Sequence, residues 1–373
     1  MPFTKTWLGT TGDYELVTNW ELISIRNSLY AWTVSGSGTS EYYLRTAGGA
    51  DPGLVATPPA SSGVYLNGSA ATNGTLGALT AGQWAYGDND ALGYSTIYVR
   101  TSGSVDPDTL DAHYVQFRQI PQATEHVRIP AGSGAISSNM DQSGVAIGDF
   151  IVEQGYLNNI GASTGTGPGT GSLMIDPNRF EFNATTGTAF IDLTTAAIPI
   201  SILGTGSSST NGVQGLNLRG SALTVIDIRG GQVGLAARPG ETLTATTLRI
   251  LGTANVIVGN GVTLTNIHQW LGITFLRCGV TTTIQYAGKL TTEENGSMTT
   301  VTLHGGEYVF NSSGTITTFN LYGGMVDEQK SGAARTISTL NKYRGSSIIR
   351  RNKEAVTHTA ETTQESYTET ISP

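Results

Sequence analysis

The chain has 373 residues, of which 38% are hydrophobic and only 13% charged, with a net charge of −8 at pH 7 and a pI near 5.1. This acidic balance argues against nucleic-acid binding, which depends on clustered Lys and Arg. The 49 glycines, spread among Thr and Ser with few helix-favouring stretches, predict an all-β protein with an ordered core.

Residues 1–25 are predicted to form an N-terminal arm. Trp7 and Trp20 flank a Gly12-Asp13 turn, which is typical of a short hairpin or a docking element, and both tryptophans are candidate residues for attachment to a partner. The N-terminus lacks the apolar segment of a signal peptide, and no run of about 18 apolar residues follows. We therefore expect a soluble protein, made in a cytoplasm, with no membrane partner.

Residues 26–120 are predicted to form a small antiparallel β module, a sandwich or barrel. Turn signals such as Asn67-Gly68 and Asp51-Pro52-Gly53 separate its short strands. The predicted strands are Ser28–Val34, Tyr42–Thr46, Val64–Asn67, Gln83–Tyr86 and Thr96–Thr101.

Residues 121–349 are predicted to form a right-handed parallel β-helix, a solenoid that begins with a Gly-rich segment. The loop at 165–171 has no following Lys-Ser/Thr and no helix, so a phosphate cradle is not expected there.

A register of hydrophobic, polar, hydrophobic, variable and glycine residues recurs between about 200 and 345. The uneven spacing of its glycines, 22, 20, 16, 17 and 18 residues, suits β-helix coils with loops of variable length. These glycines are Gly230, Gly252, Gly272, Gly288, Gly305 and Gly323.

Columns through this alignment separate an inward from an outward face. The position two before glycine is apolar and predicts a core stack: Ile228, Ile250, Trp270, Tyr286, Leu303 and Leu321. The position three before glycine is polar throughout, as expected for an outward position. His268 departs from the pattern, which favours a shift of its coil by one residue with Ile267 inside; a core histidine is the alternative.

The column next to glycine points outward yet is apolar in its middle. A contiguous apolar strip favours a subunit interface over a solvent face. Its candidate interface residues are Leu251, Leu271, Ala287 and Tyr322. We expect a homotrimer, because three β-helices can close around one axis. The polar segment 350–373 is predicted to be a flexible tail.

No catalytic residue is assigned, and no enzyme is predicted. A glycan hydrolase on a β-helix needs two carboxyl groups about 5 to 9.5 Å apart. The outward column offers Asp227, whose neighbour Arg249 favours a ladder salt bridge. The pairs Glu293-Glu294 and Asp327-Glu328 are expected on turns.

No cofactor or metal ligand is assigned either. The five histidines have no spacing typical of a metal site or a triad, and Cys278 is interpreted as a small buried residue without a disulfide partner. The Asp-rich turns at 88–90 and 106–111 carry oxygen atoms of the kind that calcium prefers, but Asp and Pro also simply form turns. Calcium binding stays open at this point.

The first 110 residues or so resemble a module that recurs in structural proteins of tailed bacteriophages. The start of the chain is similar to that of many β-helical surface proteins. The segments that carry these resemblances are Lys5–Gly9, Asn19-Trp20, Tyr43–Pro52, Gly74–Gly77, Gly87–Asp90 and Leu92–Arg100. The resemblance implies a virion component, such as a capsid decoration, head fibre or tail fibre protein, and brings no catalytic residue with it.

Together these features predict a non-catalytic structural protein of a phage virion, with itself and other virion proteins, such as major capsid or tail proteins, as partners. One alternative is a receptor-binding tailspike that binds or cleaves host surface glycans, for which an exposed acid pair near aromatic side chains would be evidence. The other is a bacterial surface adhesin, which the lack of an export signal disfavours.

Overall fold

In a computed structural model the described residues are 4–9, 14, 20–21, 23–24, 30–52, 63–111, 114–117, 120–121, 123–137, 140–161, 171–194, 198–206, 215–294, 296–328, 334–343, 345–350, 356–363 and 368–371. The protein is all-β: the described part contains strands and one short 3-10 helix, Pro107–Thr109, and no α-helix. Contacts divide the chain into two compact units, Met1–Arg128 and Ile129–Pro373, so that the first unit ends beyond residue 120, the limit expected from the sequence.

The first unit contains short strands, most of them antiparallel. They are β1 (Thr4–Thr6), β2 (Ile23–Ser24), β3 (Tyr30–Val34), β4 (Tyr42–Thr46), β5 (Val64–Leu66), β6 (Ser69–Ala70), β7 (Thr72–Asn73), β8 (Gln83–Gly87), β9 (Thr96–Arg100), β10 (Val115–Phe117) and β11 (His126–Ile129), whose last residue is the first of the second unit. A four-stranded sheet has the order β2-β10-β5-β6, and a five-stranded sheet has the order β3-β4-β9-β8-β7.

Local sequence explains both the turns and the core of this unit. The β5–β6 hairpin pairs Leu66 with Ser69 across a two-residue turn, in which Asn67 and Gly68 have φ of 52° and 75°. Both values lie in the left-handed region that Asn-Gly favours in tight hairpins. Alternating side chains of the two sheets, among them Trp32, Leu44, Trp84, Ile97 and Phe117, form one buried cluster.

The second unit consists of strands in parallel pairs, and their lengths range from 4 to 16 residues. They are β12 (Asp141–Tyr156), β13 (Leu173–Ala184), β14 (Ala189–Leu193), β15 (Pro199–Gly204), β16 (Leu216–Ile228), β17 (Gln232–Leu235), β18 (Leu243–Ile250), β19 (Asn255–Val258), β20 (Val262–Gln269), β21 (Ile273–Leu276), β22 (Val280–Gln285), β23 (Lys289–Thr292), β24 (Met298–Leu303), β25 (Glu307–Phe310), β26 (Thr315–Leu321), β27 (Gly324–Asp327), β28 (Arg335–Lys342), β29 (Ser346–Arg350), β30 (Val356–Thr363) and β31 (Thr368–Ile371).

From β16 onward each strand pairs in parallel with the strand two places along the chain. The even-numbered strands, β16 to β30, form one ladder, and the odd-numbered strands, β17 to β31, form a second. The chain therefore alternates between two ladders as it advances. Parallel neighbours need such a crossover, because a tight hairpin can join only antiparallel strands.

The long strands bend in the middle. In β18 and β20 the buried positions fall on alternate residues, but the phase changes halfway: Leu243 and Ala245 are inward in the first half of β18, Leu248 and Ile250 in the second. Because side chains alternate strictly along a straight strand, this change of phase marks a bend that turns both halves toward one core.

Core side chains line up across the ladder. In register with one another are Ile226, Leu248, Ile267, Thr283, Val301, Phe319 and Leu340, all of them buried. Ile267 is thus inside the unit and His268 points outward, which confirms the expected shift of that coil by one residue.

Part of the segment predicted to be a flexible tail is instead ordered: β30 pairs with β28, and β31 pairs with β29. Polar contacts hold β30 in place. The buried Lys342 ammonium lies 2.6 Å from a Glu361 carboxylate oxygen, and the His358 ring lies between Glu328 and Glu361 at 3.0 and 2.5 Å. The prediction was wrong because it was based on the low apolar content of the segment. Backbone pairing and ion pairs do not require apolar side chains.

Candidate functional site

An outward row of stacked aromatic rings is the most distinctive surface of the second unit. We call it the aromatic ladder. Each of its residues directly follows one of the five even-numbered strands from β20 to β28. They are Trp270, Tyr286, His304, Tyr322 and Tyr343. Neighbouring ring centroids are 5.1, 5.2, 5.2 and 4.2 Å apart, and the planes of each pair lie within 21° of parallel. The spacing follows from that of adjacent strands.

Backbone hydrogen bonds place each ring directly over the next. The amide of Trp270 donates to the Ile250 carbonyl, that of Tyr286 to the Gln269 carbonyl, and the pattern repeats for His304, Tyr322 and Tyr343. Leu251 occupies the same position one strand earlier, since its amide donates to the Ile228 carbonyl. The rings are therefore equivalent positions of one column.

This column corrects the predicted core stack. Ile250 pairs with Gln269, and Gln285 pairs with Leu303, so the two glutamines occupy the inward column that the sequence alignment gave to Trp270 and Tyr286. Trp270 and Tyr286 lie one residue further on, with 36% and 40% of their surface exposed.

The error came from the glycine chosen to align the coils. Gly272, Gly288, Gly306 and Gly324 share φ values between 76° and 82° and mark equivalent points of the turn. The alignment used Gly305 and Gly323, which precede two of these glycines, together with Gly272 and Gly288 themselves. The segments that precede Gly272 and Gly288 were therefore aligned one residue out of register with the others. A shift of one residue along a strand moves a side chain to the opposite face.

The four predicted interface residues do not all belong to the column. Tyr322 is part of the aromatic ladder, 42% exposed, and Leu251 lies half-buried at its beginning. Leu271 and Ala287 lie one residue beyond it, where Leu271 is 45% exposed and Ala287 half-buried. Ile273, two residues further along the chain, is 41% exposed, and we refer to the aromatic ladder with Leu271 and Ile273 as the ladder patch.

Two buried amides support the ladder from inside. Gln269 Nε2 donates to the carbonyls of Gly272 and Lys289 at 3.0 and 3.1 Å, and Gln285 Nε2 donates to those of Gly288 and Glu307 at 3.1 and 3.0 Å. Each amide thus ties its own turn to the following coil. The backbone amides of Lys289 and Glu307 donate to the same two glycine carbonyls, so each of these carbonyls accepts two hydrogen bonds.

Ring stacking decides what the ladder can bind. The faces of Tyr286, His304 and Tyr322 are covered by neighbouring rings, so a flat apolar ligand or a sugar has no free face there on which to stack. Trp270, Tyr286 and Tyr322 are nevertheless 36 to 42% exposed, and the nearby Leu271 and Ile273 are 45% and 41% exposed. Such a surface suits contact along its length with another elongated surface.

Trp7 and Trp20, the predicted attachment residues, are fully buried in the first unit. They pack with Tyr14 in a cluster whose ring centroids lie 5.0 to 6.0 Å apart, and Trp20 Nε1 donates to the Tyr14 carbonyl at 2.9 Å. Their side chains serve the core of this unit, so they are not available on its surface for attachment.

Several of the candidate acidic side chains form ion pairs with arginines. Asp227 and Arg249 are register partners joined by two hydrogen bonds of 2.5 and 2.6 Å, which confirms the predicted ladder salt bridge. This bond raises the pKa of Arg249. Arg277 lies 2.9 Å from Glu293 and 3.9 Å from Glu294.

Asp327 is the last residue of β27, and Glu328 is buried against His358. This pair therefore does not lie on a turn, although the sequence predicted that it would.

Carboxylates of the Asp-rich turns bond to backbone amides. Asp88 accepts from Leu92 and Gly93, and Asp90 accepts from Gly36. Asp106 caps the short 3-10 helix. Within the described ranges, no group of three or more His, Cys, Asp or Glu side chains is placed to hold a metal ion.

Cys278 is buried, as expected, and its burial raises the pKa of the thiol to about 12. Most of the Gly-rich loop at 165–171 lies outside the described residues, as does His113.

Comparisons with protein-family models, with curated proteins and with solved structures give no match to this chain. In the part of the chain that the structure describes, no helix is long and apolar enough to cross a membrane.

Proposed function

We propose that this chain is a non-catalytic structural protein of a tailed-phage virion, a surface decoration or fibre protein whose second unit is a right-handed parallel β-helix. The observation that carries the proposal is the pair of parallel ladders, β16 to β30 and β17 to β31, between which the chain alternates. A chain that advances in this way grows along one direction and presents repeated outward positions, as a projecting or covering element requires.

The aromatic ladder supports self-association. Trp270, Leu271 and Ile273, within four consecutive residues, are 36 to 45% exposed, and monomeric proteins rarely expose large apolar patches. A homotrimer with the ladder patch near its axis would cover it in all three copies. Other virion proteins, the major capsid or tail proteins, are the further partners proposed.

Ion pairing supports a non-catalytic role. The outward carboxylates considered for hydrolysis are held by arginines, Asp227 by Arg249 and Glu293 by Arg277. These contacts engage oxygen atoms that a pair of catalytic carboxyl groups would have to present to a glycan.

Labelling of virions tests the proposal. Purified particles are decorated with an antibody against this chain and imaged by electron microscopy. Regular labelling over the head or along a fibre is expected. Labelling confined to the tail tip would favour the receptor-binding tailspike, and particles without label would contradict a virion role. Antibody against the major capsid protein is the positive control.

A further inference from the structure

The inward columns of the second unit change character in the coil formed by β30 and β31. One column of the even-numbered ladder runs through buried apolar side chains and then reaches His358, the register partner of Ile337. The His358 side chain is 3% exposed, so it lies inward like the residues before it. The earlier members of this column are Leu264, Val280, Met298, Ile316 and Ile337.

Two further columns change in the same coil. The core column that ends β28 at Leu340 continues to Glu361 in β30. A column of the odd-numbered ladder continues from Ile348 to the register position of Glu369 in β31. The buried members of that column before Ile348 are Leu290, Tyr308 and Val326. Within one coil, therefore, three apolar columns pass to ionisable residues.

Ion pairs stabilise the two inward residues of β30 whose contacts are described. His358 Nε2 lies 3.0 Å from Glu328 Oε1, and His358 Nδ1 lies 2.5 Å from Glu361 Oε1. Lys342 Nζ lies 2.6 Å from Glu361 Oε2. The Glu361 side chain is 34% exposed, so this network also reaches solvent. Paired and hydrogen-bonded charges are tolerated at such positions, whereas an apolar residue would add exposed hydrophobic surface there.

β30 and β31 are also the last strands of the two ladders in the part of the chain that the structure describes. The last strand of a ladder has one edge along which no strand of that ladder pairs, and such an edge is a template for pairing with another chain. Inward-pointing charged side chains are one means by which proteins block this pairing. Repeat proteins likewise end in polar terminal repeats that keep them soluble.

We propose that the β30–β31 coil is a charged cap, which prevents copies of this chain from stacking end to end through these edges. A copy stacked on this coil would cover Glu361 and His358 and would separate their polar groups from water. The desolvation of these groups offsets the gain from backbone pairing. The inference rests on the register of the two ladders and does not depend on a role in a virion.

Restoring the apolar columns tests the cap. The triple variant Lys342→Leu, Glu361→Leu and Glu369→Ile extends the apolar residue types of the preceding coils into the cap. It removes both members of the Lys342–Glu361 pair, so that neither charge is left without the other. We expect elongated multiples of the wild-type particle, with at least a doubling of its mass. Light scattering after size-exclusion chromatography measures the mass, and negative-stain electron microscopy shows the shape.

A control variant separates the cap from general stickiness. Thr357→Ile, Thr359→Leu and Thr362→Leu add the same number of apolar side chains at exposed positions of β30 and should keep the wild-type mass. Circular dichroism checks that each variant is folded. Glu369→Ile alone leaves the ion pairs of β30 in place, and it should still raise the mass if the triple variant does not fold.

Two results would overturn the proposal. One is a folded cap variant that keeps the wild-type mass at every concentration at which the wild type is measured. The other is equal association of the control variant, which would assign the effect to added apolar surface rather than to the columns. Antibody labelling of virions does not depend on these results, so the two proposals fail separately.

Discussion

The indole ring of Trp270 stacks on the phenol ring of Tyr286, with their centroids 5.1 Å apart and their planes inclined by 21°. The two residues are 16 positions apart in the sequence but directly follow neighbouring parallel strands at equivalent positions, as the amide bonds to Ile250 and Gln269 show. Tyr286 in turn stacks on His304 at 5.2 Å. An interior ring of the ladder therefore has an aromatic neighbour on both sides.

Tyr286→Ala should lower the free energy of unfolding by about 1 to 3 kcal/mol, because it removes two stacked pairs worth roughly 0.5 to 1.5 kcal/mol each. Tyr286→Phe keeps the ring and should change stability by less than about 0.5 kcal/mol. Urea unfolding of the full chain, followed by circular dichroism, measures both. Equal losses for the two variants would show that the hydroxyl group, rather than stacking, is what matters.

Ile267→Ala and Ile273→Ala form a matched pair that tests the register. Ile267 is fully buried and Ile273 is 41% exposed on the ladder patch. We expect a loss of about 2 to 5 kcal/mol for Ile267→Ala, from the cavity it leaves, and less than about 1 kcal/mol for Ile273→Ala. Urea unfolding of the full chain, followed by circular dichroism, measures both losses. Similar losses at both positions would mean that the coil is not shifted as described.

Gly306→Ala should be strongly destabilising. Gly306 has φ of 82°, and a Cβ there would lie 2.3 Å from the Gly288 carbonyl oxygen. Gly345 has φ of 88° but open space around its Cβ position, so Gly345→Ala isolates the conformational cost, about 1 kcal/mol. We expect Gly306→Ala to lose at least about 2 kcal/mol more than this control, since the backbone contact adds to the strain. Comparable losses would argue against turn-on-turn stacking.

Leu271→Glu combined with Tyr322→Glu should dissociate the proposed trimer. Two added carboxylates per copy would be buried without partners in an interface formed by the ladder patch. Thr299→Glu with Thr317→Glu adds the same charge at exposed positions of β24 and β26 and should leave the oligomer intact. Size-exclusion chromatography with light scattering gives the masses. A trimer that survives the first pair would exclude this patch as the interface.

Cys278 should not react with a thiol reagent in the folded protein at pH 8. The reactive species is the thiolate, and with a pKa of about 12 the buried thiol stays protonated. The reagent should label one equivalent in guanidinium chloride and almost none without it, which a colorimetric disulfide-exchange assay measures. Rapid reaction of the native protein would show that this part of β21–β22 opens readily.

Several features were predictable because they depend on local chemistry. The Asn67-Gly68 hairpin follows from the residues that tolerate positive φ. The ion pair between Asp227 and Arg249 follows from two outward positions at the same point of successive repeats. The burial of Cys278 follows from the tendency of a cysteine without a partner to be a small buried residue. The departure of His268 from the column pattern was enough to place Ile267 inside.

By itself the sequence determined that the protein is all-β and that residues from about 200 to 345 repeat with inward and outward positions, because composition and the period of two along a strand are local properties. Only the tertiary structure decided which glycine begins each coil, and with it that Trp270 and Tyr286 lie in an exposed ladder while Gln269 and Gln285 are buried. It also decided that β30 is ordered. The physical reason is that register between strands is set by backbone hydrogen bonds and packing across coils, and a slip of one residue leaves composition and periodicity unchanged while reversing the face of every side chain.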